Sequence, residues 1–204
     1  MDKTKNIGNA DDGGGTPPRD LAIRHATPED VPALAALELA TFPAAQAATP
    51  EEVADRVAHY PECFWLLVGQ GDGDPGTGGP DEAGRTGPGA ILAAVNGFVT
   101  DHADLTDDMY ARAADHDPGG AWQMIFSVAT DSAHQHRGLA SMLMRRVVAD
   151  ARAAGRRGIV LTCLRPLVGF YARFGFEDEG FRGSTHGDKV WHQMRLTFRA
   201  ATAR

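Results

Sequence analysis

The most chemically telling stretch runs from Ser127 to Ser141, SVATDSAHQHRGLAS. An apolar segment, Trp122–Ala129, leads into a polar loop that ends Gln135-x-x-Gly138-x-Ala140 and opens an amphipathic helix. The first amides of a helix lack an intrahelical acceptor, and the aligned peptide dipoles add partial positive charge beside them. The pattern therefore reads as an anion cradle of the phosphate-binding kind. Gly138 and Ala140 remove side chains that would block close approach, Arg137 adds a cation and Ser141 a hydroxyl donor. Neither Gly-x-x-x-x-Gly-Lys-Ser/Thr nor Gly-x-Gly-x-x-Gly after a first strand is present, so the two commonest nucleotide loops do not fit. The eight histidines contain no His-x-x-x-His pair, and no metal site is expected. Cys63 and Cys163 are too few for a disulfide framework or a four-cysteine zinc site and read as buried thiols.

The loop needs a scaffold, and the punctuation of the chain supplies one. Leu21–Arg24 reads as a strand. Thr27-Pro28-Glu29-Asp30 opens a helix, with an N-cap, proline in the first turn and acids suited to the dipole. Its apolar face is expected at Val31, Leu34, Leu37 and Leu39, and it should stop near Phe42-Pro43. Thr49-Pro50-Glu51-Glu52 is a capping box that starts a second helix to about His59. Phe64–Val68 and Ala90–Val95 read as strands on either side of a long Gly/Pro-rich loop, residues 71–89. Trp122–Ala129 reads as one buried strand, Gly138–Ala153 as a helix and Gly158–Cys163 as a strand. Pro166–Phe174 reads as a short helix, and the segments at Phe176 and Val190–Leu196 as the last strands. The order β-α-α-β-β-β-α-β-α-β-β predicts an α/β protein with a mixed sheet. Residues 1–19 and 200–204 read as tails around one domain spanning 20–199.

With 204 residues the chain has the length of one domain plus tails. A net charge of −7 argues against a nucleic-acid partner. No apolar run reaches the ~18 residues of a membrane span. The N-terminal stretch has no apolar core of the secretory kind. The expectation is a cytoplasmic protein, monomer or homodimer.

Gln135-x-x-Gly138-x-Ala140 resembles motif A of the GNAT superfamily of N-acetyltransferases, Arg/Gln-x-x-Gly-x-Gly/Ala. One helix and one strand later, LTCLRPLVGFYARFGF (Leu161–Phe176) resembles motif B, a strand leading to a short helix that ends Phe-Tyr-x-x-x-Gly-Phe. The resemblance covers roughly Leu21 to Phe198. Within the superfamily the chain is similar to bacterial arylalkylamine N-acetyltransferase-like proteins. That similarity rests on Leu37–Pro43 with Ala47-Ala48-Thr49, Tyr60-Pro61-Glu62, Cys163 with Leu167–Tyr171, and Ser184-Thr185-His186-Gly187. In the animal enzymes two histidines precede motif A; Met124 and Phe126 stand at the matching positions here.

The resemblance implies the GNAT acyltransferase fold, a mixed central β-sheet with splayed parallel strands flanked by helices. It implies acetyl-CoA as co-substrate, held where Gln123–Ala129 and Gly158–Cys163 diverge. Pantetheine is expected on the backbone of Val128, Ala129 and Thr130 and beside Cys163. The pyrophosphate is expected on His136, Arg137, Gly138, Leu139, Ala140 and Ser141. Tyr171 matches the tyrosine that protonates the CoA thiolate in many relatives. Glu38 and His186 are candidates to take the proton of the amine. Phe42, Pro43, Met124, Phe126 and Trp191 would line an apolar acceptor pocket. The implied activity is acetyl transfer to a small primary amine, with an arylalkylamine as the candidate acceptor. The alternatives are acetylation of a protein N-terminus or lysine, and a non-catalytic acyl-CoA sensor.

Overall fold

The structure is a computed structural model that describes residues 21–69, 89–181 and 189–199. Both expected tails, nearly all of the Gly/Pro-rich segment 71–89, and Ser184–Gly187 with His186 lie outside the described residues. Nine strands are described: β1 Leu21–His25, β2 Phe64–Gly69, β3 Ile91–Asn96, β4 Val99–Thr100, β5 Trp122–Ile125, β6 Ser127–Thr130, β7 Gly158–Leu164, β8 Glu177–Phe181 and β9 Trp191–Thr197. The α-helices are α1 Val31–Thr41, α2 Pro50–His59, α3 Leu139–Ala153 and α4 Val168–Ala172. Short 3₁₀ turns fill several connections. The chain divides into two compact units.

The first unit takes the chain up to Val95 and Ser127–Leu143. Its sheet has the order β1-β2-β3-β6. β1 runs antiparallel to β2, from Leu21↔Gly69 to His25↔Trp65. Both predicted helix starts form. At the first, Thr27 leads a 3₁₀ turn, Pro28–Asp30, that passes directly into α1. The Asp30 carboxylate accepts from both terminal nitrogens of Arg24, at 2.6 and 2.7 Å, and from the Thr27 amide at 2.8 Å. That bidentate pair, stronger than a neutral hydrogen bond, fastens β1 to the helix start. At the second, Thr49 and Glu52 exchange bonds as a capping box.

The buried face of α1 differs from the one expected. Leu34, Leu37, Glu38 and Thr41 are buried, whereas Leu39 is half exposed, at 55%. Positions i, i+3, i+4 and i+7 form one helical stripe. Counting from Leu34, that stripe includes Glu38 and leaves Leu39 outside. The helix thus spends a core position on a carboxylate.

The second unit takes Asn96–Phe126 and the chain from Met144 on. Its sheet has the order β4-β5-β7-β9-β8. β5 and β7 are parallel, from Trp122↔Gly158 to Ile125↔Leu161. β7 and β9 are antiparallel, from Gly158↔Thr197 to Leu164↔Trp191. Met124, Ile159, Val160 and Met194 are completely buried and make up its centre.

Trp122–Ala129 was expected to be one strand and is two. The amides of Met124 and Phe126 donate to the carbonyls of Phe98 and Asn96, both at 2.8 Å. The chain breaks at Phe126, so β5 pairs with β7 while β6 belongs to the sheet of β3. An unbroken apolar run carries no sign of such a switch between sheets.

Residues 101–117, given no element by the sequence, form two 3₁₀ turns, Asp107–Ala111 and Ala113–Asp115. Side chains from β9 hold the approach to them. The Leu105 amide donates to Gln193 Oε1 at 3.2 Å. The Arg195 guanidinium bridges Asp104 at 2.6 Å and Glu179 at 2.7 Å, and lies 4.8 Å from the Trp122 ring centre.

Candidate active site

In the first unit, β6 delivers the chain to the polar loop. Ala129 and Thr130 are buried and Val128 is half-buried. Asp131 turns its carboxylate into the loop. It accepts the Ala133 amide at 2.9 Å and lies 3.0 Å from Nδ1 of the buried His134. His136 and Gly138 both take positive φ, 61° and 73°. Such backbone is natural for glycine and strained for histidine. The first bond of α3 runs from the Met142 amide to the Gly138 carbonyl, 3.0 Å. The amides of Leu139, Ala140 and Ser141 therefore precede any i−4 acceptor, as the motif requires. His136 and Arg137 are exposed, Gly138 and Ala140 half-buried and Ser141 buried.

Glu38 belongs to the same unit. Its carboxylate accepts the hydroxyl of Ser127, the first residue of β6, and both side chains are buried. The sequence offered Glu38 as a candidate proton acceptor and assigned Ser127 no role. The structure joins them 89 residues apart in the chain. Phe42, half-buried, caps the end of α1, and Pro43 beyond it is exposed.

In the second unit, Tyr171 is buried on α4. Its ring meets Phe170 edge-on at 4.9 Å between centres and Phe176 at 6.0 Å. Burial drives its hydroxyl well above the usual tyrosine range, and the nearby Cys163 and Tyr110 raise it further. The shift favours the protonated phenol. Cys163, on β7, is unbridged and buried; burial first, and the charge of Asp178 second, push its thiol up to about 12. A thiol held neutral in this way is no nucleophile.

Met124 is completely buried, and Phe126 is half-buried between Phe98 and Tyr110, at 5.0 and 4.8 Å between ring centres. Trp191 opens β9 opposite Leu164 and is half-buried. Tyr110 escaped the sequence reading. It stands on the Asp107–Ala111 turn, and its hydroxyl lies 3.2 Å from Thr162 Oγ1 on β7. Only a fold that brings residue 110 to residue 162 reveals it.

The model of the GNAT acetyltransferase domain matches residues 93–178. That span, less than half of the chain, is similar to a GNAT domain. The matched span holds the anion loop, Cys163 and Tyr171, and leaves out Glu38 and β9. Glucosamine 6-phosphate N-acetyltransferase 1 of Oryza sativa subsp. japonica is 38% identical over 52 residues, 26% of this chain. The match spans about a third (32%) of that curated relative's length. Among solved structures, the GphF GNAT-like decarboxylase in complex with isobutyryl-CoA superposes with a TM-score of 0.69 at 23% identity. That match covers 87% of this chain and all of that one (100%). The loading GNATL domain of CurA from Lyngbya majuscula gives 0.67 at 17% identity, covering 87% and 97%. At these identities the likeness is one of fold, and the fold is GNAT.

Proposed function

We propose that the domain, residues 20–199, is an acetyl-CoA-dependent N-acetyltransferase whose acceptor is a small primary amine with an apolar body. The observation that carries the reading is the β6–α3 junction. There His136 and Gly138 take positive φ, and the helix opens with the amides of Leu139, Ala140 and Ser141. Such a junction suits a diphosphate, which accepts several amide hydrogens at once. The GNAT likeness of residues 93–178 and the isobutyryl-CoA carried by GphF support a CoA thioester as its owner. Pantetheine would lie along Val128–Thr130.

The chemistry follows from Tyr171. An amine attacks the thioester carbonyl, the C–S bond breaks, and a thiolate leaves. A phenol kept protonated by burial still carries the proton that the thiolate would take. In this reading Cys163 takes no acetyl group, and transfer is direct. Glu38, engaged with Ser127, anchors α1 to β6. Tyr110 and Phe126, 4.8 Å apart between ring centres, would offer an acceptor an aromatic surface, which would favour an arylalkylamine over a peptide.

The test is release of free thiol from acetyl-CoA across a panel of aryl-alkylamines, polyamines, amino sugars and peptide N-termini. Saturable release with arylalkylamines supports the reading. Turnover confined to peptides would replace the acceptor, and loss of carbon dioxide from a carboxylated acyl-CoA would place the chemistry with GphF. Tight acetyl-CoA binding without turnover on any acceptor would leave a sensor.

A further inference from the structure

Acetyl transfer leaves a proton unaccounted for, and the second unit holds a group suited to take it. His192, on β9, directs Nδ1 at the carboxylate of Asp178, 3.0 Å from each oxygen. Asp178 is fixed in turn: its Oδ1 accepts the Gly180 amide at 2.8 Å. That bond and then His192 hold the carboxyl below its ordinary range, so it stays ionised and acceptor-only. An ionised carboxylate on Nδ1 keeps the ring proton there. With Nδ1 turned to the carboxylate, Nε2 is the ring nitrogen left to meet an acceptor.

The backbone is adapted to this contact. Pairing between β8 and β9 is regular at Glu177↔Arg195 and Asp178↔Met194, then shifts before Phe181↔His192. Gly180, at φ 73°, sits in the shift. A bulge of this kind re-aims side chains, and bulges gather beside active sites. The pair also faces the right chemistry. His192 stands directly opposite Cys163 in the β7–β9 ladder, and directly opposed residues share a face of the sheet. Cys163 in turn lies close to Tyr171. The titratable groups around the pair are Asp178 on β8, Cys163 on β7, Arg165 in the turn after β7 and, across Cys163, Tyr171 on α4.

We propose that His192, oriented by Asp178, is the general base that deprotonates the acceptor ammonium. The inference rests on the acetyl-transfer reading above. The ammonium nitrogen gives up two protons on becoming an amide. One goes to His192 Nε2 and on to solvent, freeing the lone pair for attack. The new N–C bond forms, the C–S bond breaks, and the departing sulfur takes the Tyr171 proton. The second nitrogen proton restores the Tyr171 phenol. The products are amide, CoA thiol and one proton. His192 thereby fills the role left open by Met124 and Phe126.

The test compares the parent protein with His192→Gln and Asp178→Asn over pH, using two acceptors. One is an alkylamine that is ammonium at neutral pH; the other is a hydrazide, already neutral there. With the alkylamine, the parent rate should fall on the acid side as the imidazole is protonated. His192→Gln should lose that limb and ~10²–10⁴-fold in kcat/KM. Asp178→Asn should lose a comparable amount, because an amide that donates to Nδ1 moves the ring proton onto Nε2. With the hydrazide, both variants should come within about tenfold of the parent, since less of the general-base contribution is then needed. Equal losses on both acceptors, with the acid limb retained, would make the pair structural and overturn the proposal. The acetyl-CoA-induced rise in Tm should persist in both variants, which checks fold and co-substrate site without turnover. Failure of the parent protein on every amine would instead remove the transferase reading, and this proposal with it.

Discussion

Replacing Tyr171 by Phe tests the acid chemistry with little change in packing. The ring contacts Phe170 at 4.9 Å and Phe176 at 6.0 Å, and the substitution keeps the ring. Global stability should change by no more than about 1 kcal/mol, the net worth of one hydrogen-bonding group. Turnover should fall far more. A positioned acid contributes ~10²–10⁴-fold. At 1.36 kcal/mol per decade this is about 2.7–5.4 kcal/mol of barrier. Because the interaction arises as the sulfur becomes anionic, kcat and kcat/KM should fall together. The pH dependence has a definite sign. Burial raises the phenol above its ordinary value of 10.0, so the acid form is complete at lower pH. Any loss of rate through Tyr171 ionisation therefore lies above pH 10, and the parent profile should show no such fall below it. The same shift makes the folded state lose stability as pH rises past the unfolded tyrosine's pKa, because the unfolded phenol ionises first. Steady-state thiol release and thermal melts give both quantities. Turnover within about threefold of the parent, far below the usual worth of a general acid, would mean that the thiolate leaves unassisted and that Tyr171 only fills space.

Two further outcomes follow from the buried polar groups. Cys163, pushed up to about 12, should resist Ellman's reagent in the folded protein at neutral pH and react once guanidinium unfolds it; prompt stoichiometric labelling of the folded chain would refute its burial. Glu38→Gln can still accept the Ser127 hydroxyl and should keep most activity, whereas Glu38→Ala strands that buried hydroxyl and should cost about 1–3 kcal/mol of stability. A loss of more than ~10²-fold in kcat for the stable Gln variant would instead make Glu38 a proton acceptor.

Features with a local cause were legible in the sequence. The helix starts at Thr27 and Thr49, the opening of α3 just after Gly138 and the short helix around Tyr171 follow from caps, prolines and glycines a few residues apart. Features set by pairing were not. Nothing near Phe126 announces that one apolar run is shared between two sheets. Nothing near Glu38 announces that the helical stripe through Leu34 and Thr41 sets it against Ser127. Tyr110 meets Thr162 across 52 residues, and His192 meets Asp178 through a bulge whose register no local pattern fixes.

The most direct measurement is the change in Tm with acetyl-CoA for the parent protein and for Ala140→Glu. Residue 140 is half-buried in the first turn of α3, where an acidic side chain suits the helix dipole, so the variant should melt without ligand at or above the parent. The parent should gain about 2.7 kcal/mol at a hundred times the dissociation constant, and free acetate should add nothing. Ala140→Glu should lose the acetyl-CoA shift, since its carboxylate would stand where the diphosphate lies. No shift in the parent at millimolar acetyl-CoA, or an undiminished shift in Ala140→Glu, would contradict an acetyl-CoA site built on the β6–α3 junction.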